Sequence, residues 1–174
     1  MTLRKILIEP DPMLRKKCEP VSVVDNQLRT LMNDMAQTMY NAPGIGLAAI
    51  QVGEPKRVIV IDLSREDEKK NPLYFVNPEL ITNSDNNAAY EEGCLSVPGQ
   101  FAEISRPDKC KVKYLDYNGN EKILDTEGLL ATCIQHEMDH LEGILFIDYL
   151  SKLKKNMIVK KLSKQKKSLE RIIV

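Results

Sequence analysis

Apolar residues recur at helical spacing in three parts of the chain. The first part begins near Asp25, and the last lies within residues 151–174. The second part runs from Thr126 or Gly128 as far as Gly143. In the first part the repeating positions are Leu28, Leu31, Met32, Met35 and Met39, and in the last they are Met157, Ile158, Leu162, Leu169 and Ile173. This spacing places apolar side chains on one face, so we predict three amphipathic helices.

Strand-like segments lie between the first two predicted helices. The β-branched run at 57–63 predicts a short buried strand, and the polar run at 64–72 predicts a loop. The segments at 111–115 and 122–124 flank an Asn-Gly pair at 118–119, which favours the positive φ values of a tight hairpin turn. We therefore expect these two segments to pair in antiparallel fashion.

These elements predict an α+β fold in which antiparallel β-sheets surround a central helix, with a further helix at the C-terminus. The central helix carries the sequence HEMDH at 136–140. A length of 174 residues suits one domain, so we expect residues 1–174 to form a single domain that ends in a basic amphipathic helix over 151–174.

Composition narrows the class of protein. Hydrophobic residues make up 43% of the chain and charged residues 29%, and no apolar run reaches the roughly 20 residues of a membrane span. The N-terminal segment lacks the pattern of a secretory signal, so we expect a cytoplasmic protein with no membrane partner. The cysteines would stay reduced there and need no disulfide framework.

His136 and His140 are the only two histidines of the chain, and both lie in the predicted central helix. Positions i and i+4 share one helix face about 6 Å apart along the axis, so the two imidazoles can bind one metal ion. Glu137 is offset by one residue, which lets it reach a metal-bound water as a general base without being a ligand. The pattern indicates a metal-dependent hydrolase.

A catalytic site of this kind usually has three protein ligands, so another residue must complete it. Cys133 shares the helix face but lies about 10 Å along the axis from His140, which favours packing in the core. The remaining candidates are Cys18, Cys94, Cys110 and Glu170. Cys94 stands among glycines and a proline that suit an exposed sharp turn, whereas Cys18 and Cys110 lie among lysines. A buried structural thiol stays open for Cys94.

Two other classes of protein fit parts of this pattern. A zinc endopeptidase would use the same helix with Glu170 as third ligand, thirty residues beyond His140. A non-catalytic RNA-binding module would hold a structural metal through its histidines. Such a closed site would need a fourth protein ligand and would not need Glu137.

Three short motifs follow one another along the chain: GIGLAAIQ at 44–51, EGCLS at 92–96 and HEMDH at 136–140. Together they resemble the three signature motifs of peptide deformylases. The resemblance covers about the first 150 residues, and none of the three motifs departs from the family pattern.

The resemblance implies an enzyme that removes the formyl group from the N-terminal formylmethionine of nascent polypeptides. It assigns Cys94, His136 and His140 as ligands of Fe2+, for which Zn2+, Ni2+ or Co2+ can substitute. A metal-bound water would attack the formyl carbon, and Glu137 would act as general base and then as general acid.

The same resemblance assigns residues around the substrate. Gln51 and the backbone N–H of Leu95 would stabilise the oxyanion. The residues expected to surround the substrate are Ile45, Gly46, Glu92, Gly93 and Leu95. Those expected to line the pocket for the methionine side chain are Leu129, Cys133 and His136.

The net charge of zero hides an asymmetry. Residues 151–174 contain eight Lys and one Arg against one Glu, a charge of +8, so residues 1–150 carry −8. Clustered cations attract polyanions, and by resemblance to the family this tail would dock a monomeric enzyme on ribosomal RNA. The alternative is a solvated helix that packs its apolar stripe against the domain.

Overall fold

The computed structural model describes residues 2–65 and 67–172, with side chains described through residue 166. This part of the chain forms three α-helices and seven β-strands. The helices are α1 (Asn26–Asn41), α2 (Gly128–Leu141) and α3 (Lys152–Ile172). The strands are β1 (Gly46–Ala48), β2 (Val58–Ile61), β3 (Leu73–Asn83), β4 (Asn87–Cys94), β5 (Val97–Pro107), β6 (Lys109–Leu115) and β7 (Glu121–Glu127). Short 3-10 helices lie at Pro12–Arg15, Ala49–Val52 and Phe146–Tyr149.

Two antiparallel sheets contact α2. Five strands form the larger sheet in the order β1-β2-β3-β6-β7, and β4 pairs with β5 in a separate hairpin. α2 contains residues 136–140 and packs against strands of both sheets. The predicted α+β class, with antiparallel sheets, a central helix and a C-terminal helix, is confirmed.

α1 forms where its apolar stripe predicts it. The side chain of Asp25 accepts a hydrogen bond from the N–H of Leu28 and so caps the first turn. The apolar stripe is buried and consists of Leu28, Leu31, Met32, Met35 and Met39. Because a helix of this length is marginal in isolation, burial of this stripe is what stabilises it. The turn that follows brings residues 42–46 to the site described below.

The larger sheet lies between α1 and α2. Successive side chains of a strand point to opposite faces, and all four residues of β2 are buried. Val58 and Val60 belong to the apolar cluster of α1, whereas Ile59 and Ile61 belong to the cluster of α2. A fully buried strand explains why residues 58–61 are continuously apolar rather than alternating.

The connection between β6 and β7 differs from the tight turn that the Asn-Gly pair predicts. Residues 116–120 form the loop, and only Gly119 of the pair has a positive φ, of 85°. The carboxylate of Asp116 accepts hydrogen bonds from the N–H groups of Asn118 and Asn120. This side-chain capping stabilises a longer loop, although the antiparallel pairing is as expected.

α3 packs on the rest of the chain through part of its apolar stripe. Leu162 is buried and Ile158 is half-buried in a cluster with Phe146, whereas Met157 is exposed. Leu169 and Ile173, also placed on the stripe by their spacing, lie outside the described side chains. Within the described ranges, no helix is both long enough and apolar enough to cross a membrane.

Candidate metal centre

Cys94, His136 and His140 bring three potential metal-ligand atoms together. These atoms lie within 4.8 Å of one another, and Cys94 Sγ is 3.4 Å from His140 Nε2. The two imidazole centroids are 5.1 Å apart, and the rings are inclined at 73°. Both rings come from one face of α2, because residues four apart in a helix are one turn apart.

Cys94 reaches this cluster from the end of β4. It is the last residue of the strand and is half-buried, and the turn that follows is not the exposed one expected, because Leu95 is half-buried and Ser96 is buried. The pairing register of β4 with β5 shifts between Gly93 and Cys94. Such an irregularity redirects a side chain from the alternating up-and-down pattern of a regular strand. Here it occurs at the residue whose Sγ lies close to α2.

The other thiols are in different surroundings. Cys18 and Cys110 are buried in the core, and burial raises the pKa of each thiol to about 11. Burial raises the pKa of Cys133 to about 12, which keeps this residue a neutral thiol rather than a metal-binding thiolate. The side chain of Glu170 lies outside the described residues.

The carboxylate of Glu92 connects β4, β5 and α2. It accepts two hydrogen bonds from Arg106, at 2.6 and 3.0 Å, and lies 2.8 Å from His136 Nδ1. Arg106 also donates to Asp139, which accepts a further hydrogen bond from the hydroxyl of Tyr149. The family resemblance implies that Glu92 lies around the substrate; it lines the cavity described below, and its carboxylate is engaged by Arg106 and His136. Its side chain therefore holds the site in place.

These contacts set the protonation of the cluster. Burial opposes ionisation of Glu92, but hydrogen bonds with His136 and Arg106 lower its pKa below the ordinary value. An ionised carboxylate only accepts, so His136 donates from Nδ1 and keeps Nε2 for a metal. Burial lowers the pKa of His140, which favours its neutral, metal-binding form.

Glu137 is a buried acid beside the cluster. Burial raises its pKa to about 7, near the pH at which a proton carrier is most effective. Its Oε2 has no hydrogen-bond partner among the described residues. A Cβ added at Gly46 would overlap Glu137 Oε1, so the close approach of β1 requires glycine. Glu137 can therefore exchange a proton with a molecule bound here.

The amide of Gln51 is held in one orientation. Its Oε1 accepts from the N–H of Ala48 at 2.8 Å, and its Nε2 donates to Ser96 Oγ at 3.0 Å. Nε2 is also 3.5 Å from Cys94 Sγ. Because Ala48 engages the oxygen, the NH2 group faces the cluster and can donate to an anion there. Ser96 is the last residue of the EGCLS motif, but the sequence alone does not indicate its contact with Gln51.

A cavity of about 460 Å³ opens onto the cluster. The predicted site residues that line it are Ile45, Gly46, Gln51, Glu92, Gly93, Cys94, Leu95, Leu129, Cys133, His136 and Glu137. His140 is fully buried behind them. Among the lining residues, Ile45 and Leu129 are about half exposed, and Phe101, which sequence reasoning missed, is 66% exposed. The only feature of the sequence that points to Phe101 as a cavity residue is its position as an aromatic residue shortly after the EGCLS motif.

Known proteins match this chain over most or all of its length. Residues 3–156 match the family model described as polypeptide deformylase. The chain is 63% identical to the peptide deformylase of Pelagibacter ubique (strain HTCC1062) over 174 residues, which is 100% of both chains. The chain belongs to the polypeptide deformylase family. The expectation raised by the three motifs is thereby confirmed.

Solved structures of polypeptide deformylases share the fold. The crystal structure of peptide deformylase from Ehrlichia chaffeensis matches with a TM-score of 0.91 and 41% identity, covering 96% of this chain and 98% of that one. The structure from Legionella pneumophila matches with a TM-score of 0.89 and 46% identity, covering 98% and 99%. The three candidate ligands lie within the residues that match the polypeptide deformylase family.

Replacing Glu92 with Ala should weaken the binding of a divalent metal about 10- to 100-fold, because His136 loses the carboxylate that orients its ring. Glu91→Ala is the matched control, since Glu91 is the exposed neighbour and should leave metal affinity unchanged. Titration with Co2+ against a competing chelator measures both affinities. Equal affinities for the two variants would contradict this role of Glu92.

Proposed function

We propose that the chain removes the formyl group from the N-terminal formylmethionine of nascent polypeptides. The observation that carries the proposal is the gathering of Cys94, His136 and His140 at an open cavity, with Glu137 and Gln51 beside them. Membership of the polypeptide deformylase family supports the same reaction class.

Cys94, His136 and His140 would hold the metal ion. A thiolate with two imidazoles suits ions that tolerate soft ligands, and we propose Fe2+, with Zn2+, Ni2+ or Co2+ as substitutes. Three protein ligands leave one position open, as catalytic sites require. When bound, the ion supplies a Lewis acid that makes water nucleophilic at neutral pH.

Glu137 would carry the proton in both halves of the reaction. With a pKa of about 7, it can accept a proton from the attacking water and return it to the leaving amine. Its unpartnered Oε2 leaves it free to do so. This assignment uses one residue as base and then as acid, and it requires no covalent intermediate.

Two donors would stabilise the negative charge that forms on the formyl oxygen. Gln51 offers Nε2, which Ala48 and Ser96 hold in place before the substrate binds. Leu95 offers its backbone N–H in the turn directly after Cys94. Donors fixed in advance need no reorganisation during the reaction, so they favour the transition state over the bound substrate.

The cavity wall suits the methionine side chain. Leu129 and Cys133 lie on α2, and Ile45, on the turn before β1, lines the same cavity. Ile45 and Leu129 are partly exposed, so an apolar side chain placed beside them would bury further apolar surface. We propose that the enzyme acts as a monomer in the cytoplasm, where nascent polypeptides are made.

The metal-loaded chain should release formate from a formyl-methionyl tripeptide. Glu137→Gln should retain the metal but lower kcat by about 10²- to 10⁴-fold, because the amide cannot carry the proton. Glu121→Gln, an exposed change on β7, is the control and should match the wild type. Failure of the wild type to release formate, or full activity of Glu137→Gln, would overturn the proposal.

The alternatives differ in the residues that bind the metal. In the proposed site Cys94→Ala should lose the ion and Glu170→Ala should keep it, as measured by metal content after dialysis. Loss of the ion in Glu170→Ala alone would instead support a zinc endopeptidase. A structural site in an RNA-binding module would need a fourth protein ligand, and within the described ranges the cluster comprises three.

We also propose that α3 docks the enzyme on ribosomal RNA. Residues 151–174 carry a charge of +8. Lys160, Lys161 and Lys164 are exposed, so their charges are available to a polyanion. Packing of α3 against the domain is compatible with RNA docking, because Leu162 is buried in the core while the three lysines are exposed.

Removing residues 153–174 should weaken binding to ribosomes and reduce its dependence on salt, since fewer phosphates are neutralised. The truncation also removes Leu162 from the core. A triple variant in which Lys160, Lys161 and Lys164 become Gln keeps that packing and should show the same effect in milder form. Unchanged affinity of both variants at several salt concentrations rules docking out.

A further inference from the structure

The segment at residues 2–9, here called the N-terminal strap, contacts two of the three motif segments through its backbone. The N–H of Leu7 donates to the carbonyl of Gln51 at 2.7 Å. The N–H of Glu9 donates to the carbonyl of Ser96 at 2.9 Å. Gln51 and Ser96 are far apart in sequence, and the strap joins their main chains.

Gln51 needs support from outside its own segment. It lies in the 3-10 helix Ala49–Val52, and helices of this kind have poor hydrogen-bond geometry and little stability alone. The carbonyl that receives the Leu7 N–H belongs to this short helix, whose last carbonyls lack partners within the helix. The side chains of Gln51 and Ser96 are themselves hydrogen-bonded at 3.0 Å. The strap, Gln51 and Ser96 are therefore each hydrogen-bonded to the other two.

The N-terminal strap is fastened at both ends. Near its start, Arg4 pairs with Asp34 of α1 and with Glu54, each at 3.2 Å. At its end, the buried carboxylate of Glu9 pairs with Arg15 at 3.1 Å. Contacts at both ends limit how far Leu7 can move away from Gln51.

We infer that the N-terminal strap is a positioning element for the oxyanion donor Gln51. The inference rests on the proposed function of Gln51 and extends it to residues outside the three motifs. The strap acts through the Gln51 main chain, which fixes where Nε2 lies relative to Cys94. Displacement of a catalytic donor by about 1 Å can cost about 100-fold in rate, so a small shift of this short helix has a large effect.

Leu7→Pro removes the N–H that contacts Gln51 and should lower kcat for formate release about 10- to 100-fold. KM and metal content should stay within about twofold of the wild type, because the variant leaves the three candidate ligands and the apolar wall residues Ile45 and Leu129 unchanged. Leu7→Ala keeps the N–H and controls for the lost side chain. Lys5→Pro controls for proline itself, since Lys5 is exposed and its N–H has no acceptor in the part of the chain described.

A double-mutant cycle separates positioning from a general structural effect. In a Gln51→Ala background, Leu7→Pro should cause little further loss of kcat, because the donor it positions is already absent. An equal loss in both backgrounds, or no loss in either, would overturn the inference. Arg4→Leu provides the test if Leu7→Pro does not fold. It removes the ion pair of the half-exposed Arg4 with Asp34 and should lower kcat by a smaller factor. This loss of kcat should also disappear in the Gln51→Ala background.

The two proposals fail differently. A metal-loaded wild type that releases no formate overturns the proposed function and, with it, the role of the strap. A wild type that releases formate, with a kcat insensitive to Leu7→Pro and Arg4→Leu, overturns the strap alone.

Discussion

The buried carboxylate of Glu92 is the constraint on which the site depends. It is buried between Arg106 of β5 and His136 of α2. A buried charge without its partners is strongly unfavourable, so the β4–β5 hairpin and α2 must meet where all three groups are satisfied. In that arrangement Cys94, two residues beyond Glu92, comes to His140. The grouping of the three candidate metal ligands is therefore a consequence of the buried ion pair as much as of the helix that carries the histidines.

The remaining parts of the site are held by the larger sheet. β1 pairs with β2 at the edge of this sheet, and it places Gly46 against Glu137 and Ala48 against the Gln51 amide. β2 is buried on both faces by α1 and α2, so its position is among the most strongly determined in the fold. Functional side chains on short loops can keep a fixed geometry when rigid elements of this kind carry the loops.

Features that depend on one segment could be predicted from the sequence, and features that depend on pairing could not. Helical periodicity alone predicts that His136 and His140 share a face and that Glu137 is offset from it. Arg106 stands 14 residues from Glu92, and only the pairing of β4 with β5 brings them together. The contact between Gln51 and Ser96 likewise follows from tertiary packing. At the Asn-Gly pair the dipeptide preference was overridden by the side chain of a neighbouring residue, Asp116.

In the proposed mechanism, Glu92 and Glu137 give one residue type two roles within one site. Arg106 and His136 stabilise the ionised form of Glu92 despite its burial. Glu137 is equally buried but lacks an equivalent hydrogen-bonded cation, so burial dominates and raises its pKa to about 7, with the charge of Glu92 acting in the same direction. A fixed anion that orients a ligand must not titrate, whereas a proton carrier must. Arg106 separates the two by stabilising one carboxylate and leaving the other free to exchange its proton.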